Sequence, residues 1–211
     1  MLIIKRALNK INEIIRNLTI DKANRKELTN KDFSLLSSNC NGAFILHDLK
    51  LGFKSPTVNL FISANDYIKF LERLDYYLSC DLVKIVDEKY NYPLGALDDI
   101  IIHFMHYNSF EESREKWQLR LRRFNKENLF IMMTDRDGCT DEIIRKFDNL
   151  SYEHKVIFTH KPYPEIKSAF YIKGFEDELQ VGDLFKFKFY LAIKKYYDAF
   201  DYVKWFNTGD F

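Results

Sequence analysis

Three short apolar runs in this chain end on side chains that can carry chemistry. The runs are Phe33 to Gly42, Asn128 to Thr140 and Lys155 to Pro164. The polar side chains at their ends are Asn39, Cys40, Asn41, Asp135, Arg136, Asp137, His160 and Lys161. In α/β proteins the crevice that binds ligands lies where buried strands end. The sequence therefore predicts a candidate active site built from three strand ends.

Cys40 indicates nucleophilic chemistry. It follows a predicted strand and precedes GAFILHDL, a segment that can form a short helix. A thiol at a helix N-terminus has its thiolate stabilised by the helix dipole, which predicts a lowered pKa and a reactive cysteine. His160 is the predicted base, and the backbone N–H groups of Asn41 and Gly42 are predicted to shape an oxyanion pocket. An inert, buried cysteine is the alternative that the sequence leaves open.

Asp135 and Asp137 suggest a different chemistry. Two carboxylates one residue apart have the form of the Asp-x-Asp element that holds a divalent cation against the diphosphate of a nucleotide sugar. Arg136 and Lys161 would then steady the phosphates. A tight turn at Asp137-Gly138 explains the same residues without a ligand, so this interpretation also remains open.

The elements that position these residues predict an α/β fold. Short apolar runs alternate with helical segments, which favours a single three-layer domain with a mainly parallel or mixed sheet and crossover helices. Ser63, Ser109 and Thr140 are predicted helix caps. The predicted strands are Phe33 to Ser37, Val58 to Ile62, Leu82 to Val86, Ile100 to Met105, Leu129 to Met133, Val156 to Thr159 and Ala169 to Ile172. A last helix is predicted from Gly182 to Tyr197.

The N-terminal segment predicts an amphipathic helix before the domain. Its apolar stripe in the range Leu2 to Leu18 consists of Ile4, Leu8, Ile11, Ile15 and Leu18. We expect this stripe to pack on the domain or on a second copy, or to contact a membrane surface. The segment DKANRKELTNKD is predicted to be a charged connector, so residues 1–31 are separated from an α/β domain at residues 32–211.

Composition excludes several classes of protein. The 211 residues carry a net charge of +1, so the overall electrostatic field does not favour binding to nucleic acid. Three widely spaced cysteines indicate neither a disulfide framework nor a structural zinc site. The N-terminus lacks the continuous apolar core of a signal peptide, and no run is long enough to span a bilayer. We therefore expect a cytoplasmic location, with contact at the inner face of the membrane through the N-terminal helix.

Several blocks of the sequence resemble a known family. They are SSNCNG, SPTVNLFI, DYIKFLERLDYYL, YPLGALDDIIIHFMHY, SFEESREKW, NLFIMMTDRDGCT, VIFTHKPYP and YDAFDYVKWFN. Together they resemble the bacterial family of uncharacterised proteins labelled exopolysaccharide biosynthesis proteins, over roughly Asp32 to Asn207. The resemblance implies an α/β fold and a place in exopolysaccharide or capsule production, without a reaction or catalytic residues. This chain has Asn41-Gly42-Ala43 where the family pattern has Trp-Gly-Gly, so the surface beside Cys40 differs.

These observations predict a transferase that takes a small-molecule donor and a glycan or lipid-linked glycan acceptor. In the preferred version, Cys40 and His160 carry acyl transfer. The alternatives are a metal-dependent glycosyltransferase that uses a nucleotide sugar, and a non-catalytic accessory protein that binds glycan or a membrane. The sequence specifies neither a cofactor nor an oligomeric state.

Overall fold

The computed structural model describes residues 2–189 and 192–211, and for residues 2–5 it describes the backbone alone. The side chain of Ile4, part of the predicted N-terminal stripe, lies outside the described residues. So do positions 190 and 191, which fall within the predicted helix from Gly182 to Tyr197.

Four parallel strands form the sheet that carries the candidate site. They run in the spatial order β1-β6-β7-β8, and their bounds are Ser34–Ser37 (β1), Leu129–Thr134 (β6), His154–Thr159 (β7) and Ala169–Tyr171 (β8). These strands read as near-continuous apolar runs because both faces of the sheet are covered. The α/β prediction is confirmed, and all four of these strands were predicted.

The remaining strands form a second, antiparallel sheet rather than joining the first. Its order is β2-β5-β4-β3, with bounds Phe61–Ile62 (β2), Val83–Ile85 (β3), Leu94–Leu97 (β4) and Ile100–His103 (β5). Strand β4 was not predicted, because Gly95 in its middle is unfavourable in a strand. Gly95 is required there, since a Cβ atom would lie 2.7 Å from Leu82 Cδ1. Strands β4 and β5 form a hairpin, and Asp98 in its turn has a φ of 54°.

The helices begin where the sequence places capping residues. Ser63 Oγ accepts from the N–H of Asp66, Ser109 Oγ from that of Glu112, and Thr140 Oγ1 from that of Ile143. The helices are Leu2–Leu18 (α1), Ile20–Glu27 (α2), Asn41–Asp48 (α3), Ala64–Glu72 (α4), Leu74–Ser79 (α5), Phe110–Leu121 (α6), Asp141–Asn149 (α7) and Tyr202–Thr208 (α8). The segment predicted to be a charged connector is therefore largely the helix α2. In the described part of the chain, no helix combines the length and the apolar character needed to cross a bilayer.

The predicted helix from Gly182 to Tyr197 is wrong for the described residues of that range. Residues 182–189 and 192–195 form an irregular segment, followed by a short 3-10 helix at Tyr196–Ala199. The Phe-Lys alternation from Phe185 onward has a period of two rather than that of a helix. The segment also folds back on itself, because the N–H of Lys188 donates to the carbonyl of Lys194 and the N–H of Tyr196 to that of Lys186.

Two apolar clusters pack on opposite faces of the parallel sheet. Leu36, Ile131 and Met133 point into a cluster with helices α4 and α7 and the second sheet. The alternate side chains pack against α3 and the C-terminal segment, and they include Leu35, Phe130, Met132 and Phe158. This alternation follows from the period of two of a strand, and it fixes the sheet that carries the candidate site.

Candidate functional site

The three predicted strand ends lie at one edge of the parallel sheet. Strand β6 lies between β1 and β7, and all three run in the same direction. Their carboxyl ends therefore bring Asn39, Asp135 and His160 to the same edge. The ladder continues past the strands, since the N–H of Asp135 donates to the carbonyl of Phe158 at 3.0 Å. Such an edge is where ligands bind in open α/β sheets.

The turn from β1 into α3 is held by its own side chains. Asn39 donates from Nδ2 to Thr134 Oγ1 at 2.8 Å, and its Oδ1 accepts from the N–H of Asn41 at 3.3 Å. The N–H of Gly42 donates to Ser37 Oγ at 3.3 Å. The backbone donors of Asn41 and Gly42 are thus already engaged. The predicted oxyanion pocket at these two groups is wrong.

Cys40 has the opposite ionisation from the one predicted. Its side chain is half-buried, and its Sγ lies 3.7 Å from the carbonyl oxygen of Leu60. Burial, with smaller contributions from the carboxylates of Asp137 and Asp183, raises the pKa of Cys40 to about 11, although Arg136 acts in the opposite direction. The loss of hydration and the acidic neighbours outweigh the helix dipole, which the sequence alone had suggested would dominate. The structure therefore disfavours Cys40 as a thiolate nucleophile.

Asp135 and His160 form a buried carboxylate–imidazole pair. Asp135 is 5% exposed, and its Oδ2 lies 2.5 Å from His160 Nδ1. The same oxygen accepts from the backbone N–H of His160 at 2.7 Å, while Oδ1 accepts from the N–H of Val181 at 2.8 Å. A carboxylate surrounded by donors assigns the ring proton to Nδ1, which leaves Nε2 as the acceptor nitrogen. Nε2 has no hydrogen-bond partner within the described ranges.

The two aspartates of the Asp-x-Asp element have different surroundings. Both oxygens of Asp135 accept from N–H donors, whereas Asp137 lines the cavity beside Cys40. Asp137 and Gly138 have φ angles of 59° and 85°, so the tight turn expected at these two residues is present. Burial raises the pKa of Asp137, against the effect of Arg136 and of a hydrogen bond from Asn39. Paired ligation of a divalent cation by Asp135 and Asp137 stays a prediction, which the N–H donors on Asp135 disfavour.

No alternative metal cluster takes its place in the part of the chain that the structure describes. Groups of three or more His, Cys, Asp or Glu side chains arranged around a common point are absent there. Cys139 lies near Asp135 and Asp137, but burial raises the pKa of its thiol to about 12.

A cavity of about 270 Å³ opens beside the turn that carries Cys40. Its lining residues are Asn39, Cys40, Asn41, Phe44, Phe61, Met105, His106, Arg136, Asp137, Asp183 and Phe185. Five of the eight predicted site residues thus meet in one cavity. Asp135 and His160 are not among the lining residues. Neither is Lys161, whose Nζ lies 3.4 Å from Asp141 Oδ1 and over the ring of Tyr163.

The polar groups of the cavity include two that lack a partner. Asn41 Oδ1 and Arg136 Nε are buried and have no hydrogen bond within the described residues. Arg136 is otherwise neutralised, because its Nη1 donates to Asp183 Oδ1 at 2.8 Å. Buried polar atoms without partners are uncommon in native proteins, and a bound ligand or water is the ordinary explanation. Both atoms belong to residues that line the cavity.

Two polar residues of the cavity, His106 and Asp183, are not among the eight predicted site residues. His106 follows the second-sheet strand β5, and its position near a strand end was a usable signal. Asp183 gave no signal, because it lies in an irregular segment that reaches the site only through tertiary contacts. The N–H of Val181 donates to Asp135, and the carboxylate of Asp183 accepts from Arg136. The irregular segment therefore contacts both the Asp135–His160 pair and the cavity.

Comparison with known proteins now places the chain in a family. The family model described as a domain of unknown function, DUF1919, matches residues 11–207. The chain belongs to the DUF1919 family. It is also similar to an uncharacterized protein of Haemophilus influenzae strain Rd, with 54% identity over 204 residues that cover 97% of this chain and 96% of the relative. An uncharacterised bacterial domain family is thus confirmed, and neither description names a reaction or a polysaccharide.

Proposed function

We propose that this DUF1919 protein is an O-acyltransferase that modifies a hydroxyl group of a glycosyl unit. The observation that carries the proposal is the Asp135–His160 pair, with an Nδ1–Oδ2 distance of 2.5 Å at the ligand-binding edge of the sheet. A carboxylate that fixes the ring and its tautomer leaves Nε2 ready to accept a proton from a hydroxyl group. His160 is then the general base, and Asp135 is its positioning residue.

The proposed reaction needs no covalent enzyme intermediate. His160 Nε2 takes the proton from the acceptor hydroxyl while its oxygen attacks the carbonyl carbon of an acyl thioester. A C–O bond forms, the C–S bond breaks, and His160 returns the proton to the departing thiolate. Asp135 stabilises the positive charge that the imidazole carries between these two events. In this scheme Cys40 lines the acceptor cavity and does not act as a nucleophile.

The cavity supports binding of a neutral sugar unit of the acceptor, with the reacting hydroxyl group placed outside the cavity, at His160 Nε2. Asn41 and Arg136 line the cavity, and polar side chains of this kind exchange hydrogen bonds with sugar hydroxyl groups. Phe44 and Phe61 supply apolar surface of the kind that packs on sugar rings. Because Asp183 neutralises Arg136, the cavity suits a neutral ligand better than a diphosphate. The resemblance to exopolysaccharide biosynthesis proteins suggests that the sugar belongs to a polysaccharide or its lipid-linked precursor in the cytoplasm.

Glycan binding without catalysis is the second candidate function. The same polar and aromatic lining supports it, and it makes no use of the Asp135–His160 pair. The metal-dependent glycosyltransferase is not favoured, because both oxygens of Asp135 are engaged by N–H donors.

The test is acyl transfer from coenzyme A thioesters to capsular oligosaccharides by the purified protein and its variants. We expect His160→Asn to lower kcat by about 10²- to 10⁴-fold, the usual contribution of a general base. Cys40→Ser should retain activity, and His47→Gln serves as the matched control because His47 is exposed. Activity that survives in His160→Asn and is lost in Cys40→Ser would overturn the proposal. Oligosaccharide binding without transfer from any thioester would support the binding function instead.

A further inference from the structure

The helix α1 has its polar side buried and its apolar side exposed. Asn12 and Arg16 are buried against the domain. Ile11, Ile14, Ile15 and Leu18 lie on the opposite side and keep 42% to 65% of their surface exposed. The predicted packing of this stripe on the domain is therefore wrong for its described side chains. Four aliphatic side chains at helical spacing form one exposed face, which we call the α1 apolar face, and such contiguous faces mark interaction sites.

The orientation of α1 is fixed by buried ion pairs. Arg16 donates to both carboxylate oxygens of Asp198, and its Nε lies 3.0 Å from Asp21 Oδ1 and 3.2 Å from Asp48 Oδ2. Rotating the helix to bury its isoleucines would strip Arg16 from these partners and leave their charges buried without compensation. The outward direction of the α1 apolar face is therefore imposed by the fold.

Cations lie along the border of the α1 apolar face. Lys10, Arg25 and Lys50 line the groove that also contains Ile14. Lys186 and Lys188 line a neighbouring groove beside Asn9, together with Phe189, whose ring is 74% exposed. The cations are not all free, since Lys186 lies 2.8 Å from Asp183. The acidic groups near α1 are paired as well: Glu13 lies 3.3 Å from Lys195, and Asp21 and Asp48 contact Arg16.

We infer that the α1 apolar face binds an anionic lipid surface. A helix with aliphatic side chains on one face and cations along its borders lies in the interfacial plane of a bilayer, with the cations near the lipid phosphates. A second copy of the chain fits less well. Pairing two α1 apolar faces would bring the bordering cations of both copies together, and these like charges would repel each other. The inference goes beyond the transferase proposal and does not depend on it.

The experiment is co-flotation of the full chain with lipid vesicles. We expect binding to phosphatidylcholine vesicles that contain about 30% phosphatidylglycerol, weak binding to pure phosphatidylcholine, and a loss of binding as salt rises from about 0.1 to 0.5 M. Ile14→Asp should lower the partition coefficient by about tenfold or more, because an aliphatic side chain no longer enters the bilayer. Lys10→Glu should weaken binding to anionic vesicles alone.

Val86→Asp is the matched control, since Val86 is an exposed aliphatic residue beyond the end of the second-sheet strand β3. It should bind vesicles like the wild type, and circular dichroism verifies that each variant is folded. Equal binding to both vesicle types, or an unchanged partition coefficient for Ile14→Asp, would overturn the inference. It would also be overturned by a dimer, detected by light scattering without lipid, that Ile14→Asp dissociates, since a second copy would then cover the face.

Discussion

The Sγ atom of Cys40 lies 3.7 Å from the carbonyl oxygen of Leu60, in a half-buried position beside Asp137. Burial there raises the pKa of the thiol to about 11. At neutral pH very little thiolate exists, and thiolate is the form that alkylating reagents attack. A cysteine at a helix N-terminus can therefore be unreactive when its surroundings remove water and present carboxylates.

Cys40 should accordingly be alkylated slowly by iodoacetamide. At pH 7.5 we expect a rate at least about 100-fold below that of an unperturbed thiol, which has a pKa near 8.5. The rate should still be rising at pH 10, below the pKa of about 11. Mass spectrometry of the peptide that contains Cys40 measures the rate, and the urea-unfolded chain is the reference. Equal rates in the folded and unfolded chains would contradict this expectation.

Gly42 should be intolerant of a methyl group, whereas Gly52 should accept one. A Cβ atom at Gly42 would lie 2.7 Å from Ser37 Cβ and 3.1 Å from Leu35 Cδ2, while one at Gly52 would meet no atom within 4 Å. We expect Gly42→Ala to lower the free energy of unfolding by about 1–3 kcal/mol through overpacking, partly offset by the higher helix propensity of alanine. Gly52→Ala should change it by less than about 1 kcal/mol. Urea unfolding of both variants is the measurement, and equal stabilities would show that β1 and α3 do not pack this closely.

Local sequence signals predicted the parallel sheet and much of the cavity for the same reason. Asn39, Cys40, Asn41, Arg136 and Asp137 directly follow buried apolar strands, and parallel strand ends share an edge. Which side chains face each other there depends on turn conformation. Asp137 has a φ of 59°, and the apolar periodicity of the preceding strand does not predict the side-chain directions that such a left-handed turn produces.

The orientation of α1 could not be predicted from the sequence, for a different reason. Packing of its apolar stripe on the domain was one of the expectations. Ile11 and Ile15 do not pack there, because Arg16 has buried carboxylate partners at Asp48 and Asp198. These partners lie 32 and 182 positions along the chain, so no local pattern reveals them. A strong ion-pair network formed by tertiary structure has overridden the local hydrophobic signal.

Replacement of Arg16 should be strongly destabilising. The guanidinium is fully buried among the carboxylates of Asp21, Asp48 and Asp198, so Arg16→Met would leave these three buried acids with too few cations, although Lys195 still contacts Asp48. Breaking such a network by removing one partner costs about 3–5 kcal/mol. Chemical denaturation measures the loss, and Arg6→Met on the exposed side of the same helix is the control. If the two variants were equally stable, the buried network would not hold α1 in place.

Asp21 should make the protein less stable as pH rises through the weakly acidic range. Burial, with the neighbouring carboxylate of Asp48, raises the pKa of Asp21 to about 6, although Arg16, Lys195 and Arg25 act in the opposite direction. Arg16 Nε lies 3.0 Å from Asp21 Oδ1, but that oxygen accepts no hydrogen bond within the described residues. An acid whose folded pKa lies above its unfolded value of about 3.9 favours folding while it is protonated. Its contribution is therefore complete below about pH 4 and is lost as pH rises to 6.

Asp21→Asn tests this relation, because the amide mimics the protonated acid at every pH. The free energy of unfolding of the variant minus that of the wild type should increase between pH 4 and 6 and stay constant above, with a total rise of up to about 3 kcal/mol. Subtracting the wild-type curve largely cancels the effect of Asp48, whose pKa is lowered and whose contribution is lost as pH falls. Urea titrations at pH 4.5, 6 and 7.5 provide the difference. A difference that is flat with pH would mean that Asp21 ionises in the folded chain as readily as in the unfolded one.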